Sequence, residues 1–142
     1  MIPPVQIDDA PAIAQHRFPA EADAAELPIY SDWVKEAIQR GLYLGFLALD
    51  GQEVISGAGL VLLEWGPSPG DPQPYQGRVV NVWTHPDSRR QWLARGLVKL
   101  CVDAARKRGI TRLSLGTSAE ARSLYLSLGF TASTSEMTVI LR

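Results

Sequence analysis

Ten prolines punctuate this chain, and none lies beyond residue 86. Five fall between Pro3 and Pro28, four between Pro67 and Pro74, and the last is Pro86. Proline removes a main-chain donor and fixes φ, so regular elements must fit between these clusters, while the final third of the chain can run uninterrupted. The stretch GPSPGDPQPYQG, Gly66 to Gly77, admits neither ladder nor helix and is read as a loop. With 142 residues, 46% hydrophobic and 20% charged, the chain suits a single domain over 1–142 and is not wholly disordered. Its longest apolar run, Ala58 to Leu63, is far short of the roughly 20 residues that cross a bilayer. The start, Met1-Ile2-Pro3-Pro4, lacks the basic and apolar regions of a secretory signal, so a cytoplasmic location is expected. One cysteine, Cys101, excludes an internal disulfide, and with two histidines it leaves too few soft ligands for a structural zinc site. No metal is expected.

Apolar spacing between the breaks sets out the elements. Asp8 or Asp9 is expected to cap a short helix with Pro11 in its first turn and Ile13 and Phe18 among its contacts. A second helix is expected after Ser31, with Trp33, Val34, Ala37 and Ile38 on one face and a stop at Arg40-Gly41. Tyr43 to Leu49 and Val54 to Trp65 read as strands joined at Asp50-Gly51, a dipeptide suited to the positive φ of a tight hairpin. Arg78 to Thr84, RVVNVWT, is apolar on both faces and predicts a central strand covered on both sides. Within it Asn81 must find a partner, in the fold or in a ligand. A long helix follows, with Leu93, Leu97, Leu100, Cys101, Ala104 and Ala105 on one stripe and a stop at Lys107-Arg108-Gly109. Cys101 on that stripe is read as core packing. Thr111 to Gly116 is a short strand, so strand, helix and strand make a right-handed βαβ unit. Ala121, Leu124, Tyr125 and Leu128 form one face of a final helix ended by Gly129, and Glu136 to Leu141 predicts a last strand.

Charge is distributed unevenly. Residues 1–77 carry three basic side chains (Arg17, Lys35, Arg40) and eleven acidic ones, net −8, whereas residues 78–142 carry eleven basic and four acidic, net +7. Either the halves neutralise each other across the core, or the basic half attracts a polyanion such as a nucleotide phosphate while the acidic half favours a cationic amine.

The junction THPDSRRQWLARGL, Thr84 to Leu97, joins the central strand to the long helix. A helix start has unpaired N–H groups and a positive dipole end, and here it is flanked by Arg89, Arg90 and Arg95. Cations there oppose the dipole unless an anion offsets them; the alternative is a solvated basic loop. At these residues the sequence resembles the GNAT superfamily of acyl-CoA-dependent N-acetyltransferases, whose pyrophosphate loop reads Q/R-x-x-G-x-G/A after a strand. Arg89 takes the Q/R position, Trp92 stands at the first glycine and Ala94 at the final Gly/Ala. Trp92 is the departure: its indole lies outward over the cofactor, or it closes the loop. A second likeness is SAEARSLYLSLGF, Ser118 to Phe130, which is similar to the family's N-x-x-A-x-x-L-Y-x-x-x-G-F, with Ser118 in place of asparagine. The fold class this implies is α/β (α+β): a mixed, mostly antiparallel twisted sheet with a central parallel βαβ unit flanked by helices, GNAT-like.

The resemblance implies direct transfer of an acetyl group from acetyl-CoA to a primary amine of a small molecule or peptide. Main-chain N–H groups of Val82, Trp83 and Thr84 would face the thioester, if the central strand splays from its neighbour. Arg89, Arg90, Gln91, Trp92, Leu93, Ala94 and Arg95, with Ser118, would hold the cofactor. Tyr125 is the candidate proton donor to the leaving thiolate, because a phenol near ~10 lies close to a thiol near ~8.5; the alternative is a core aromatic. Glu64 is the candidate general base or a plain surface charge, His85 is read as part of an exit turn, and His16 as lining the acceptor side. Water is the fallback base. The competing reading is a non-catalytic acyl-CoA or nucleotide-binding module with a loop altered by Trp92. Nucleic acid is not an expected partner, because the basic residues cluster at one helix start without interleaved aromatics. No membrane contact is expected, and the sheet edge offers a homodimer contact.

Overall fold

A computed structural model describes residues 2–89 and 91–141, the side chain of Gln91 excepted. Two helices, α1 (Ala10–Arg17) and α2 (Leu27–Gln39), precede three antiparallel strands, β1 (Tyr43–Asp50), β2 (Glu53–Glu64) and β3 (Tyr75–Thr84). Helix α3 (Gln91–Lys107) then crosses to β4 (Leu113–Ser114), which pairs parallel to β3, and α4 (Arg122–Ser127) follows. The sheet is mixed, in the order β1-β2-β3-β4.

Strand alternation feeds two apolar layers. Phe46, Ala48, Ala58, Leu60 and Val79 meet Leu97, Val98 and Cys101 of α3 and Leu124 and Tyr125 of α4. On the other face Tyr43, Val61 and Val80 meet Ile13 of α1 and Val34 and Ala37 of α2. The stripe expected on α3 is therefore its buried face, and Cys101 is fully buried, its thiol pushed up to about 12 by desolvation.

Several expectations are corrected. Helix α2 begins at Leu27 with Pro28 in its first turn, four residues before Ser31, which is buried within it; proline fits the first turn, where the missing N–H has no partner to lose. Asp9 does not cap α1 with its side chain but accepts from Gln6 N at 2.8 Å, closing a 3-10 turn ahead of it. In the hairpin Asp50 pairs with Glu53, so the turn is Gly51-Gln52, and of these two only Gly51 has a positive φ, 63°. Glu136 to Leu141 forms no strand: Met137, Val139, Ile140 and Leu141 are 75–96% exposed. Its alternation gives it strand propensity, but a strand exists only where an edge receives it, and β4 is itself only two residues long instead of the six expected from Thr111 to Gly116. The proline segment forms a loop only over residues 66–74: Tyr75, Gln76 and Gly77, expected in the loop, pair with Glu64, Leu63 and Leu62 as the start of β3, because no proline follows Pro74 to block the ladder. The loop is tied to the end of α3 through Gln73, whose amide donates to the Gly109 carbonyl at 3.1 Å.

The sheet leaves room for two large side chains by placing glycine beneath them. A Cβ on Gly57 would come within 3.0 Å of His16 Nδ1, and one on Gly59 would overlap the Tyr43 hydroxyl. We expect Gly59→Ala to cost roughly 1–3 kcal/mol as an overpacked core site, lowering the thermal midpoint by about 3–10 °C. An unchanged midpoint in calorimetry would mean that Tyr43 yields without strain.

Candidate active site

The central feature is a break in β3. Val80 pairs with Gly59 and Trp83 with Gly57, so Asn81 and Val82 together oppose the single residue Ala58. This bulge puts Asn81 at φ 56°, a left-handed conformation that asparagine tolerates better than most residues. The side-chain amide of Asn81 donates to Tyr30 Oη at 2.9 Å and Tyr43 Oη at 3.0 Å, and its Oδ1 accepts from Arg17 Nη1 at 3.3 Å. The fold thus supplies the partners this polar residue requires. The extra residue also shifts the strand's phase: Val79 and Val82 both pack toward α3, while Val80 packs toward α1 and α2.

Beside the bulge the sheet opens. Strands β3 and β4 pair only at Gly77 with Leu113 and Arg78 with Ser114. Beyond them Val79 to Thr84 and Gly116 to Ser118 line opposite walls of a cleft of about 870 Å³, in the upper range of ligand sites. His85 N donates to Ile55 O on the β2 side at 2.7 Å. Strand alternation therefore turns the N–H groups of Val82 and Thr84 to the open edge, while Trp83 faces β2. Ser56, fully buried, secures this end by donating to Trp83 O at 2.8 Å and meeting Thr84 Oγ1 at 3.0 Å.

The cleft has two ends. Toward α3 and α4 lie Arg89, Ala94, Ser118, Leu124 and Tyr125. Tyr125 is 6% exposed and packs edge-on to Phe130; burial raises its pKa, so the phenol stays protonated, and its hydroxyl has no hydrogen-bond partner among the described residues. Ser118 Oγ accepts from Ala121 N at 3.2 Å and so steadies the turn into α4. Toward α1 lie His16, Arg17 and Phe18. The His16 ring stacks on Trp83 at 4.2 Å, and burial lowers its pKa to about 4.

Several sequence candidates stand elsewhere. Trp92 is 65% exposed and is not among the residues lining the cleft. Leu93 packs in the α3 core, and Arg95 is drawn to α4, its Nε donating to Ser127 Oγ at 3.1 Å. Glu64 is exposed at the far end of β2, opposite Tyr75; Tyr75 lies four residues before Val79, roughly 13 Å along the strand from where the cleft begins. His85 accepts from Asp87 N at 3.1 Å, as an exit turn should. Arg90 and the side chain of Gln91 lie outside the described residues. Arg17, Glu120 and Thr117 also line the cleft without having been singled out in the sequence. The available signal for Arg17 was its rarity, as one of three basic residues in the first 77.

Residues 8–130 match the sequence model of the acetyltransferase (GNAT) family. Among solved structures, a GCN5-related N-acetyltransferase from Ralstonia eutropha JMP134 is similar at 26% identity and a TM-score of 0.85, covering 99% of this chain and 97% of its own. A predicted acetyltransferase with acetyl-CoA from Clostridium acetobutylicum shares 18% identity at a TM-score of 0.88, over 99% of this chain and 95% of its own. Glucosamine-6-phosphate N-acetyltransferase from Arabidopsis thaliana shares 13% at 0.78, over 100% and 98%. No curated protein matches the sequence. Among the described residues no helix is long and apolar enough to cross a membrane.

The low pKa of His16 couples the site to stability. Between pH 6.5 and 4 the unfolded chain binds a proton on this ring that the folded chain refuses. Stability from this source is complete above pH 6.5 and falls as pH drops toward 4. The ring is part exposed, so the loss by pH 5 is on the order of 1 kcal/mol. In urea unfolding at pH 7.5 and 5, we expect the stability difference between wild type and His16→Gln to shrink at the lower pH. A constant difference would mean that the ring titrates normally.

Proposed function

Because this chain belongs to the acetyltransferase (GNAT) family, we propose that it is an acetyl-CoA-dependent N-acetyltransferase acting on a primary amine of a small molecule or peptide. The observation that supports this reading is the opening of β3 from β4, with Val82, Thr84 and Tyr125 all lining one cleft. Unpaired main-chain donors on an otherwise buried sheet need a partner, and an elongated thioester cofactor laid along the open edge provides one. Arg89 and the first-turn N–H groups of α3 suit its diphosphate, and an outward Trp92 leaves that space clear.

Bound acetyl-CoA would supply the thioester carbonyl that is attacked and the thiolate that leaves. This chain's part is electrostatic and positional. Val82 and Thr84 N–H groups, fixed by the bulge, stabilise negative charge as it builds on the carbonyl oxygen. Tyr125, kept protonated by burial, delivers its proton to the departing sulfur. The amine must attack unprotonated. A ring with a pKa of about 4 is a weak base, so His16 accepts a hydrogen bond from the amine, and solvent entering the open cleft takes the ammonium proton. Glu64 would act only if a substrate or water chain bridged the strand length that separates it from the cleft.

Titrating acetyl-CoA against tryptophan fluorescence, with thiol release measured over a panel of amines, tests the reading. Saturable quenching and amine-dependent release are expected. Binding without release from any amine would instead leave a non-catalytic acyl-CoA module. For Tyr125→Phe we expect kcat to fall on the order of 100-fold with acetyl-CoA affinity nearly kept; unaltered turnover would remove the proton-donor role.

A further inference from the structure

We infer that the amine acceptor carries a carboxylate, and that Arg17 is the residue that selects it. The inference rests on the acetyl-transfer reading above and concerns the α1 end of the same cleft. Arg17 lines that end with His16 and Phe18, on the face of β3 opposite Arg89 and Tyr125. Its guanidinium is held in place: Nη1 donates to Asn81 Oδ1 at 3.3 Å, and the group lies over the Tyr30 ring at 5.2 Å from the centroid. Both anchors are themselves fixed, because Asn81 is the bulge residue and its amide binds Tyr30. A guanidinium has five N–H donors, and one meets Asn81. No carboxylate approaches Arg17 within ion-pair distance among the described residues, although the half of the chain that carries it has eleven acidic side chains.

A pre-oriented planar fork without a counterion, on the wall of a cleft, matches a carboxylate in shape and charge. The charge count favours a monoanion. Arg17 and Arg89 are the two described cations lining the cleft, and Glu120, the one described carboxylate lining it, precedes α4 on the Arg89 side, so at the α1 end one positive charge remains for the acceptor. A phosphate dianion would be left half compensated. The acceptor so defined is an amino acid or a short peptide with its amine toward Val82 and Thr84 and its carboxylate toward Arg17. The acidic N-terminal half, which by net charge alone favours a purely cationic amine, is thereby qualified at the one place where the substrate would touch it.

Paired acceptors test this: α-amino acids against their carboxamides, and O-phosphoethanolamine against ethanolamine, each assayed by thiol release at saturating acetyl-CoA. We expect kcat/KM for the acid to exceed that for the amide by about 10- to 100-fold. Arg17→Gln should collapse that ratio toward one and Arg17→Lys should restore part of it. Because the readout is a ratio, a partly folded variant does not distort it. Equal rates for acid and amide, an unchanged ratio in Arg17→Gln, or a preference for the phosphate would each overturn the inference while leaving acetyl transfer standing. If acetyl-CoA binds but no acceptor is turned over, calorimetric titration of the coenzyme A complex with the same pairs reads the preference directly, and its absence there is equally decisive. Failure of coenzyme A to bind at all would remove the acetyl-transfer reading itself, and this inference with it.

Discussion

Two hydrogen bonds from one amide hold the site open. Asn81 donates to Tyr30 and Tyr43, and those phenols secure a residue in the left-handed region in the middle of a strand. Such a conformation carries a cost of order 1–3 kcal/mol and persists only where its surroundings over-determine it. Here they do. Tyr43 is buried, seated over Gly59, and fixed at the start of β1. Downstream of the bulge, Ser56 and Ile55 keep Trp83, Thr84 and His85 on β2, so β3 leaves β4 without leaving the sheet.

One irregular residue thus organises both ends of the cleft. Shifting the strand's phase sends Val82 toward α3 and the Trp83 ring onto His16 of α1. The same side chain receives Arg17 on its free oxygen. The α1 end and the α3–α4 end of the cleft therefore share a support that neither helix pair could supply alone. Desolvation completes the arrangement by keeping Tyr125 protonated and His16 neutral, which leaves a phenol on one wall and an uncharged imidazole on the other.

Much of this was legible in the residues. Leu97, Cys101 and Ala105 recur at helical spacing and are the buried face of α3, and Ala121, Leu124 and Tyr125 announced α4 with Gly129, at φ 95°, after it. The errors have physical causes. Ser31 carries the chemistry of a helix cap yet lies inside α2, where packing against α1 extends the helix back to Leu27. Met137 to Leu141 has strand propensity without an edge to join. Glu64 looked suited to a base by residue type and strand position, but sequence does not tell which end of a strand meets the cleft.

Periodicity, glycine and proline placement, and the basic helix start determined the elements, the two-sided burial of β3 and the family likeness, because these follow from local sterics and burial preference along the chain. Only the tertiary structure decided where β3 bends and what meets there. A bulge is a mismatch between two strands, and neither strand encodes it alone. The encounter of Arg17, Tyr30, Tyr43 and Asn81 joins four positions spread over 65 residues of sequence, and their contact exists only once both helices have closed over the sheet.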